Sequence, residues 1–291
     1  MDASPDGRAG ITASLVAGLL AEQAPQWAHL AVEPVPVDGW DNRTYRLGSD
    51  LSVRLPTAER YAPAVAKESR CLPVLAPRLP VPVPEPIFTG RPGAGYPYPW
   101  SVRRWLPGAP ASVSLVPSKP AFAEEVGRFL LALQAVPADG GPLAGEHSFH
   151  RGSSLTHYDD ETRSAVARLG SRVPAMRALG VWSDALAASY GGPPVWFHGD
   201  VAVGNLLVDD AGRLAAAIDF GTSGVGDPAC DLVLAWTFLD APARAVFRRT
   251  VGADDAMWAR ARGWALWKAL ITLVDDRSSP ASEVVEAVLG D

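Results

Sequence analysis

Three polar residues carry most of the chemistry this chain could do: Asp200, Asn205 and Asp219. Each borders a short apolar run. Residues 195–197 lead into His198-Gly199-Asp200, Asn205 opens the run 205–208, and Asp219 lies near the end of the run 214–220. The last two runs are joined by the turn-like segment 209–213, which contains Gly212, so together they read as a β-hairpin. Antiparallel pairing about that turn brings Asn205 and Asp219 to the same end, with Asp200 on the loop leading in. Two carboxylates and one carboxamide therefore converge on a small volume. Oxygen ligands of this kind suit Mg²⁺, which takes one or two protein groups and completes its shell with water and substrate phosphates. The remaining carboxylate, Asp200, can accept a proton from a hydroxyl nucleophile.

The order and spacing of these residues resemble a kinase active site, in which a catalytic-loop aspartate is followed by an asparagine and later by Asp-Phe-Gly. Here the counterparts are Asp200, Asn205 and Asp219-Phe220-Gly221. The form His198-Gly199-Asp200, followed by Gly226-Asp227-Pro228 and Asp231-Leu232, is closer to the aminoglycoside phosphotransferase family than to protein kinases. That resemblance implies Asp200 as the catalytic base, Asn205 and Asp219 as Mg²⁺ ligands, and His198 and Asp231 as structural support for the catalytic loop. It implies ATP or GTP as phosphoryl donor and a small-molecule hydroxyl as acceptor. The opposite reading, a set of turn aspartates on an ordinary core, requires the whole ordered set to arise from turn chemistry alone.

The chain has 291 residues, 48% hydrophobic and 20% charged, enough for a substantial core in one large or two smaller domains. Its formal net charge of −6 argues against a nucleic-acid partner, which would call for a basic surface. Two cysteines in a chain this long imply no disulfide framework and a reducing compartment. No uninterrupted apolar stretch reaches the length of a membrane span, and the N-terminal residues lack a basic start, so the expected location is cytoplasmic.

The elements around these residues are legible in outline. Ile11, Leu15 and Leu19 recur at helical spacing. Residues 32–37, 44–47 and 51–55 form a three-stranded meander. Its first turn, with Gly39, Trp40 and Asn42, would cover the nucleotide phosphates if the resemblance holds, although it has one glycine where protein kinases have several. Arg54 stands on the third strand where the kinase pattern places lysine. Glu68, in a helix expected over 63–75, is the family's partner for that cation, so an Arg54–Glu68 pair is expected to face the phosphates. A strand over 100–106 ends in a hinge at 104–108, where the backbone of Arg104, Trp105 and Leu106 would meet the purine. Helices follow over 122–133, 158–169 and 229–239, then a long one carrying Met257, Trp264, Ile271 and Val274. Acidic residues at two helix ends, Asp159 with Asp160 and Asp275 with Asp276, are candidates for a cationic substrate; the competing reading is ordinary helix-terminal charge. His147 and His150 have a metal-like spacing without further ligands nearby.

The resemblance implies an α+β, two-lobed, kinase-like fold: a small antiparallel-sheet lobe over 1–106 and a larger, mostly helical lobe over 107–291. It does not fix the acceptor, because the fold also serves choline, macrolides, sugars and homoserine. An alternative from another class is a non-catalytic nucleotide-binding sensor, supported by Arg54 in place of lysine. Another, a protein or lipid kinase, lacks an Ala-Pro-Glu activation segment and a basic membrane patch.

Overall fold

The computed structural model describes residues 10–36, 38–39, 41–276 and 279–291. The chain divides into two compact units, residues 1–77 with 82–107, and residues 78–81 with 108–291.

The first unit is built on a five-stranded antiparallel sheet in the order β1-β2-β3-β5-β4. Its strands are β1 (Val32–Pro34), β2 (Asn42–Leu47), β3 (Leu51–Pro56), β4 (Pro86–Gly90) and β5 (Trp100–Arg104). The β2–β3 hairpin places Thr44 opposite Arg54, and β3–β5 pairing places Arg54 opposite Ser101. The helix α1 (Ala13–Gln23) starts at Thr12, whose hydroxyl accepts the Leu15 N–H, and buries Leu19 and Leu20 with Tyr45, Leu47, Val53 and Trp100. The helix α2 (Ala62–Leu75) has Pro63 in its first turn and buries Val65, Glu68, Leu72 and Leu75, a single helical face. The first strand is shorter than residues 32–37, because Pro34 and Pro36 withhold N–H donors from the ladder; Val37 lies outside the described residues.

The second unit is mostly helical. Its helices are α3 (Lys119–Gln134), α4 (Asp159–Leu169), α5 (Ala175–Ala187), α6 (Leu234–Thr237), α7 (Ala241–Val251), α8 (Asp255–Asp275) and α9 (Ala281–Gly290). Two small sheets lie among them: β6 (Ala109–Pro110) pairs with β8 (Leu206–Val208), which pairs with β9 (Leu214–Ala217), while β7 (Val195–Phe197) pairs with β10 (Gly224–Gly226). The β8–β9 hairpin is the one read from the sequence. A carboxylate anchors it: Glu125 of α3 accepts the N–H of Leu214, the first residue of β9, at 2.8 Å.

One expected element has a different form. Residues 229–239 are not a continuous α-helix; Pro228–Val233 is a 3₁₀ turn, and α6 follows. Asp227 caps this turn through the Ala229 N–H. The tighter winding carries the side chain of Asp231 inward, to the catalytic loop. The α5, α7, α9 and β10 segments had no counterpart in the sequence reading. No helix among the described residues is long and apolar enough to cross a membrane.

Close packing of α3 on α7 rests on one glycine. A Cβ on Gly127 would lie 2.7 Å from Thr250 Cγ2 and 3.0 Å from its Cβ. Helix propensity alone favours any ordinary residue over glycine there by up to ~1 kcal/mol. Gly127→Leu is nevertheless expected to destabilise the protein by about 1–3 kcal/mol, because overpacking outweighs that gain. Urea unfolding measures it, and a neutral or stabilising substitution would show that the two helices can separate without cost.

Candidate active site

The loop that carries Asp200 is held from below by a buried carboxylate. Asp231 is fully buried, and its two oxygens accept the backbone N–H groups of His198 and Gly199, each at 2.7 Å. Burial pushes its carboxyl up, against the two backbone N–H donors, which favour the charged form. His198, equally buried, is the second brace. Its Nδ1 accepts the Asp200 N–H at 3.2 Å and its Nε2 meets the Ile218 carbonyl at 2.9 Å. An imidazole that accepts at Nδ1 and donates from Nε2 is the neutral Nε2–H tautomer, and it ties the loop to the end of β9. Phe220 stacks against it, with ring centroids 4.5 Å apart.

Gly199 makes this loop possible. Its φ is +86°, and a Cβ there would lie 2.7 Å from the Thr222 carbonyl oxygen. Only glycine takes that conformation without strain, and a side chain would meet backbone. The turn presents the Asp200 carboxylate outward: Gly199 is buried and Asp200 is exposed.

Asn205 then fixes Asp200. The Asn205 amide nitrogen donates to the Asp200 carbonyl at 3.0 Å and to its Oδ2 at 2.8 Å. With both amide hydrogens committed, the Asn205 Oδ1 is the acceptor left for a cation. The Asn205 carbonyl receives the Ile218 N–H at 2.8 Å, which sets Asn205 beside the residue preceding Asp219. Asp219 has φ +64°, a left-handed conformation unusual for a non-glycine residue, and it re-aims the chain after β9. No group of three or more His, Cys, Asp or Glu side chains suited to a metal occurs among the described residues. An oxygen set of one carboxamide and one carboxylate fits Mg²⁺, whose other positions are filled by water and nucleotide phosphates.

Support reaches this loop from α8 as well. Arg260 forms a buried two-point pair with Asp227, Nε to Oδ2 at 2.7 Å and Nη2 to Oδ1 at 3.2 Å. Asp227 caps the 3₁₀ turn that carries Asp231, so Arg260 acts on the loop through two carboxylates in series.

A separate charged cluster lies within the first unit. Glu68 of α2 is 3% exposed and receives Arg54 Nη1 at 3.5 Å. Its stronger partner is Arg103 of β5, which makes a two-point pair at 3.2 and 2.7 Å. Asn42, with its amide oxygen turned to the guanidinium, accepts from Arg54 Nη2 at 3.0 Å and Nε at 3.2 Å. Strand alternation explains why Arg103 went unread: it is buried on the helix-facing side, while the neighbouring Arg104 is exposed. The alternation of the strand Trp-Ser-Val-Arg-Arg, which puts Ser101 and Arg103 on one face, was the available signal.

The remaining candidates are placed as follows. Gly39 donates its N–H to Asp38, which also takes the Thr44 N–H and the Arg43 guanidinium. Trp40 lies outside the described residues. Arg104 pairs with Leu51 in the sheet, the Trp105 N–H goes to the Asp50 carbonyl, and Leu106 is half-buried. Asp159 accepts from the Trp182 indole at 2.7 Å and pairs with Arg163, and Asp160 is exposed on the same first turn of α4. Asp275 and Asp276 are exposed at the end of α8. None of these four carboxylates lines the cavity beside Asp200. His147 meets the Leu143 carbonyl, and His150 stacks on His157 at 3.5 Å.

That cavity, of about 250 Å³, lies wholly within the second unit. Asp200 and the following Val201 form one wall; Trp264, Trp267 and Lys268 of α8 form another; Arg151 and residues of α9 close it. Trp264 and Trp267 are buried as their spacing implied, yet they also face this space. Arg151 and Lys268 were not singled out in the sequence. The helical spacing of Lys268 from Trp264 was the signal that could have found the lysine.

Comparisons with known proteins follow the same lines. The profile of the phosphotransferase enzyme family (APH) matches residues 32–264. No curated protein matches the chain in sequence. Among solved structures, the GDP complex of wild-type aminoglycoside 2'-phosphotransferase-IIIa superposes with TM-score 0.69 at 17% identity, covering 96% of this chain and 98% of that one. Macrolide 2'-phosphotransferase MphH from Brachybacterium faecium gives TM-score 0.62 at 22% identity, covering 95% and 97%. The streptomycin–ATP ternary complex of APH(2")-IIa gives 0.60 at 15%, covering 94% and 95%. At these identities the likeness establishes the fold, which is the α+β kinase-like one.

The two arginines on Glu68 are not equivalent. Arg103→Met is expected to cost about 3–5 kcal/mol, because it leaves a buried carboxylate without its two-point partner. Arg54→Met should cost less, since Arg54 is more exposed and Glu68 keeps Arg103. Urea denaturation of both variants checks the ranking; the reverse order would show that Arg54 is the residue that holds Glu68.

Proposed function

Because this chain belongs to the phosphotransferase enzyme family, we propose that it transfers the γ-phosphoryl group of ATP or GTP to the hydroxyl of a small molecule. The observation that carries this reading is the Asp200–Asn205 pair. One amide orients an exposed carboxylate, which leaves its own oxygen as an acceptor that would meet a cation, and the Asn205 carbonyl receives the N–H of the residue before Asp219.

In the proposed reaction the acceptor hydroxyl approaches Asp200. Its oxygen forms a bond to the γ-phosphorus, the bond from that phosphorus to the β–γ bridging oxygen breaks, and the nucleoside diphosphate leaves with that electron pair. The hydroxyl proton passes to the Asp200 carboxylate. Asn205 and Asp219 would hold Mg²⁺, which when bound neutralises phosphate charge. Arg54, fixed by Glu68 and Asn42, would bind donor phosphates as a forked cation, in place of the lysine of other kinases. Little covalent chemistry falls to the protein, so positioning supplies most of the rate. His198 and Asp231 contribute by holding the loop still.

The donor reading draws on solved structures whose titles carry GDP, ADP or ATP. Aminoglycosides and macrolides, the substrates named for those relatives, are the first acceptors to try. A nucleotide sensor without transfer has no need of a carboxylate oriented by Asn205.

Asp200→Asn is expected to fold normally and to lose transfer by about 10²–10⁴-fold, the usual contribution of a positioned base. The measurement is Mg²⁺-dependent consumption of ATP and GTP against aminoglycosides, macrolides, nucleosides and amino alcohols. Acceptor-stimulated turnover near the native rate in Asp200→Asn would reject Asp200 as the base.

A further inference from the structure

The cavity beside Asp200 has a charge pattern that bears on the acceptor. Among the described residues Asp200 is the only carboxylate on its wall, and it faces two cations, Arg151 and Lys268. The Lys268 ammonium makes no hydrogen bond or ion pair with any described residue; the backbone carbonyl of Lys268 accepts the Thr272 hydroxyl. Arg151 has no carboxylate partner among them either; its guanidinium lies over the Trp267 ring at 4.5 Å and the Trp264 ring at 5.5 Å. The Trp267 ring is itself fixed, since its indole donates to Glu161 at 2.6 Å and Tyr158 stacks on its face at 4.0 Å. Trp264 and Lys268 are one helical turn apart on α8, so the stacked guanidinium and the ammonium share one side of the cavity.

Most of the remaining wall is apolar, with Val201, Val233, Ala265, Ala269, Ala281 and Val284, and Thr237 and Thr272 add two hydroxyls. Loss of water around Lys268 and the charge of Arg151 push its ammonium down; Asp200, Asp275 and Glu161 pull the other way without forming an ion pair. An incoming anion relieves that crowding of like charge, and an incoming polycation adds to it. The volume of about 250 Å³ also falls below the roughly 300–1,000 Å³ of pockets for drug-sized ligands.

We propose that this cavity receives the acceptor, and that Lys268 together with Arg151 binds an anionic group on it. The substrate class is then a small hydroxy acid with an apolar body: its hydroxyl lies toward Asp200 and its carboxylate toward α8. This rests on the phosphotransferase reading and sharpens it, setting a polycationic acceptor aside. An anion at Lys268 has one other source, the phosphoryl group in transit, and the test separates the two.

The experiment compares matched acceptors that differ only in charge: lactate, glycerate, serine and 3-phenyllactate against their carboxamides, with kanamycin as the polycation. Native protein, Lys268→Gln, Lys268→Glu and Asp200→Asn are assayed for nucleotide consumption and phosphate-ester formation. The native protein is expected to prefer acids over amides by roughly 10- to 100-fold in kcat/KM, the discrimination expected of a charge-assisted hydrogen bond. Lys268→Gln should lower that ratio several-fold, Arg151 keeping part of it, and Lys268→Glu should bring it to one or below. Equal use of acids and amides, or preference for kanamycin, with dependence on Asp200 retained, overturns the anionic acceptor and leaves the phosphotransferase reading standing. A ratio unchanged in Lys268→Gln while both rates fall together assigns Lys268 to the transferred phosphoryl group and also overturns it. Nucleotide binding with no Asp200-dependent transfer to any acceptor rejects the underlying reading, and this inference with it.

Discussion

A carboxylate without solvent holds the loop that carries Asp200 in place. Asp231 sits at the start of an otherwise apolar segment and spends both oxygens on the N–H groups of two consecutive residues, His198 and Gly199. A charge in that position is costly unless its hydrogen bonds are made. The loop must therefore adopt the conformation that offers both N–H groups, and that conformation forces Gly199 to positive φ and Asp200 outward. The 3₁₀ turn, the Asp227 cap and the Arg260 pair all bring Asp231 to this spot. The neutral imidazole of His198 passes the constraint to the end of β9, and Asn205 passes it to Asp200. Geometry that matters for chemistry is thus set by side chains that need never touch substrate.

The same economy operates in the first unit. Glu68 is buried between two arginines of different kinds. Arg103 is sealed off and bonded at two points, which satisfies the carboxylate. Arg54 is more exposed and meets Glu68 at a longer distance, 3.5 Å. A conserved-charge argument would treat the two as one cluster; burial separates an anchoring cation from one that can work.

Much of this was legible in the sequence, for reasons that can be stated. The β8–β9 hairpin was readable because two short apolar runs flank a glycine-containing turn, and antiparallel pairing then leaves little freedom in where Asn205 and Asp219 go. Asp231 stood out as a charge in an apolar segment. The form of its segment did not: helical propensity gave no warning that Pro228–Val233 would wind as a 3₁₀ turn, since the cause is a tertiary demand from His198 and Gly199. Arg103 was missed for a similar reason, because its burial depends on which face of β5 meets α2. Lys268 and Arg151 are brought together from elements more than a hundred positions apart in sequence, and no local pattern marks their meeting. Asp159 shows the opposite case. Its place at a helix start was read correctly, but its engagement with Trp182 is a packing fact.

Incubation with γ-labelled ATP and GTP, Mg²⁺ and a small-molecule extract rich in alcohols, followed by mass spectrometry, tests the central claim most directly. The account predicts a labelled phosphomonoester, formed one-for-one with nucleoside diphosphate by the native protein and absent with Asp200→Asn. Label found only in unreacted nucleotide or in inorganic phosphate, despite clear nucleotide binding, would contradict it.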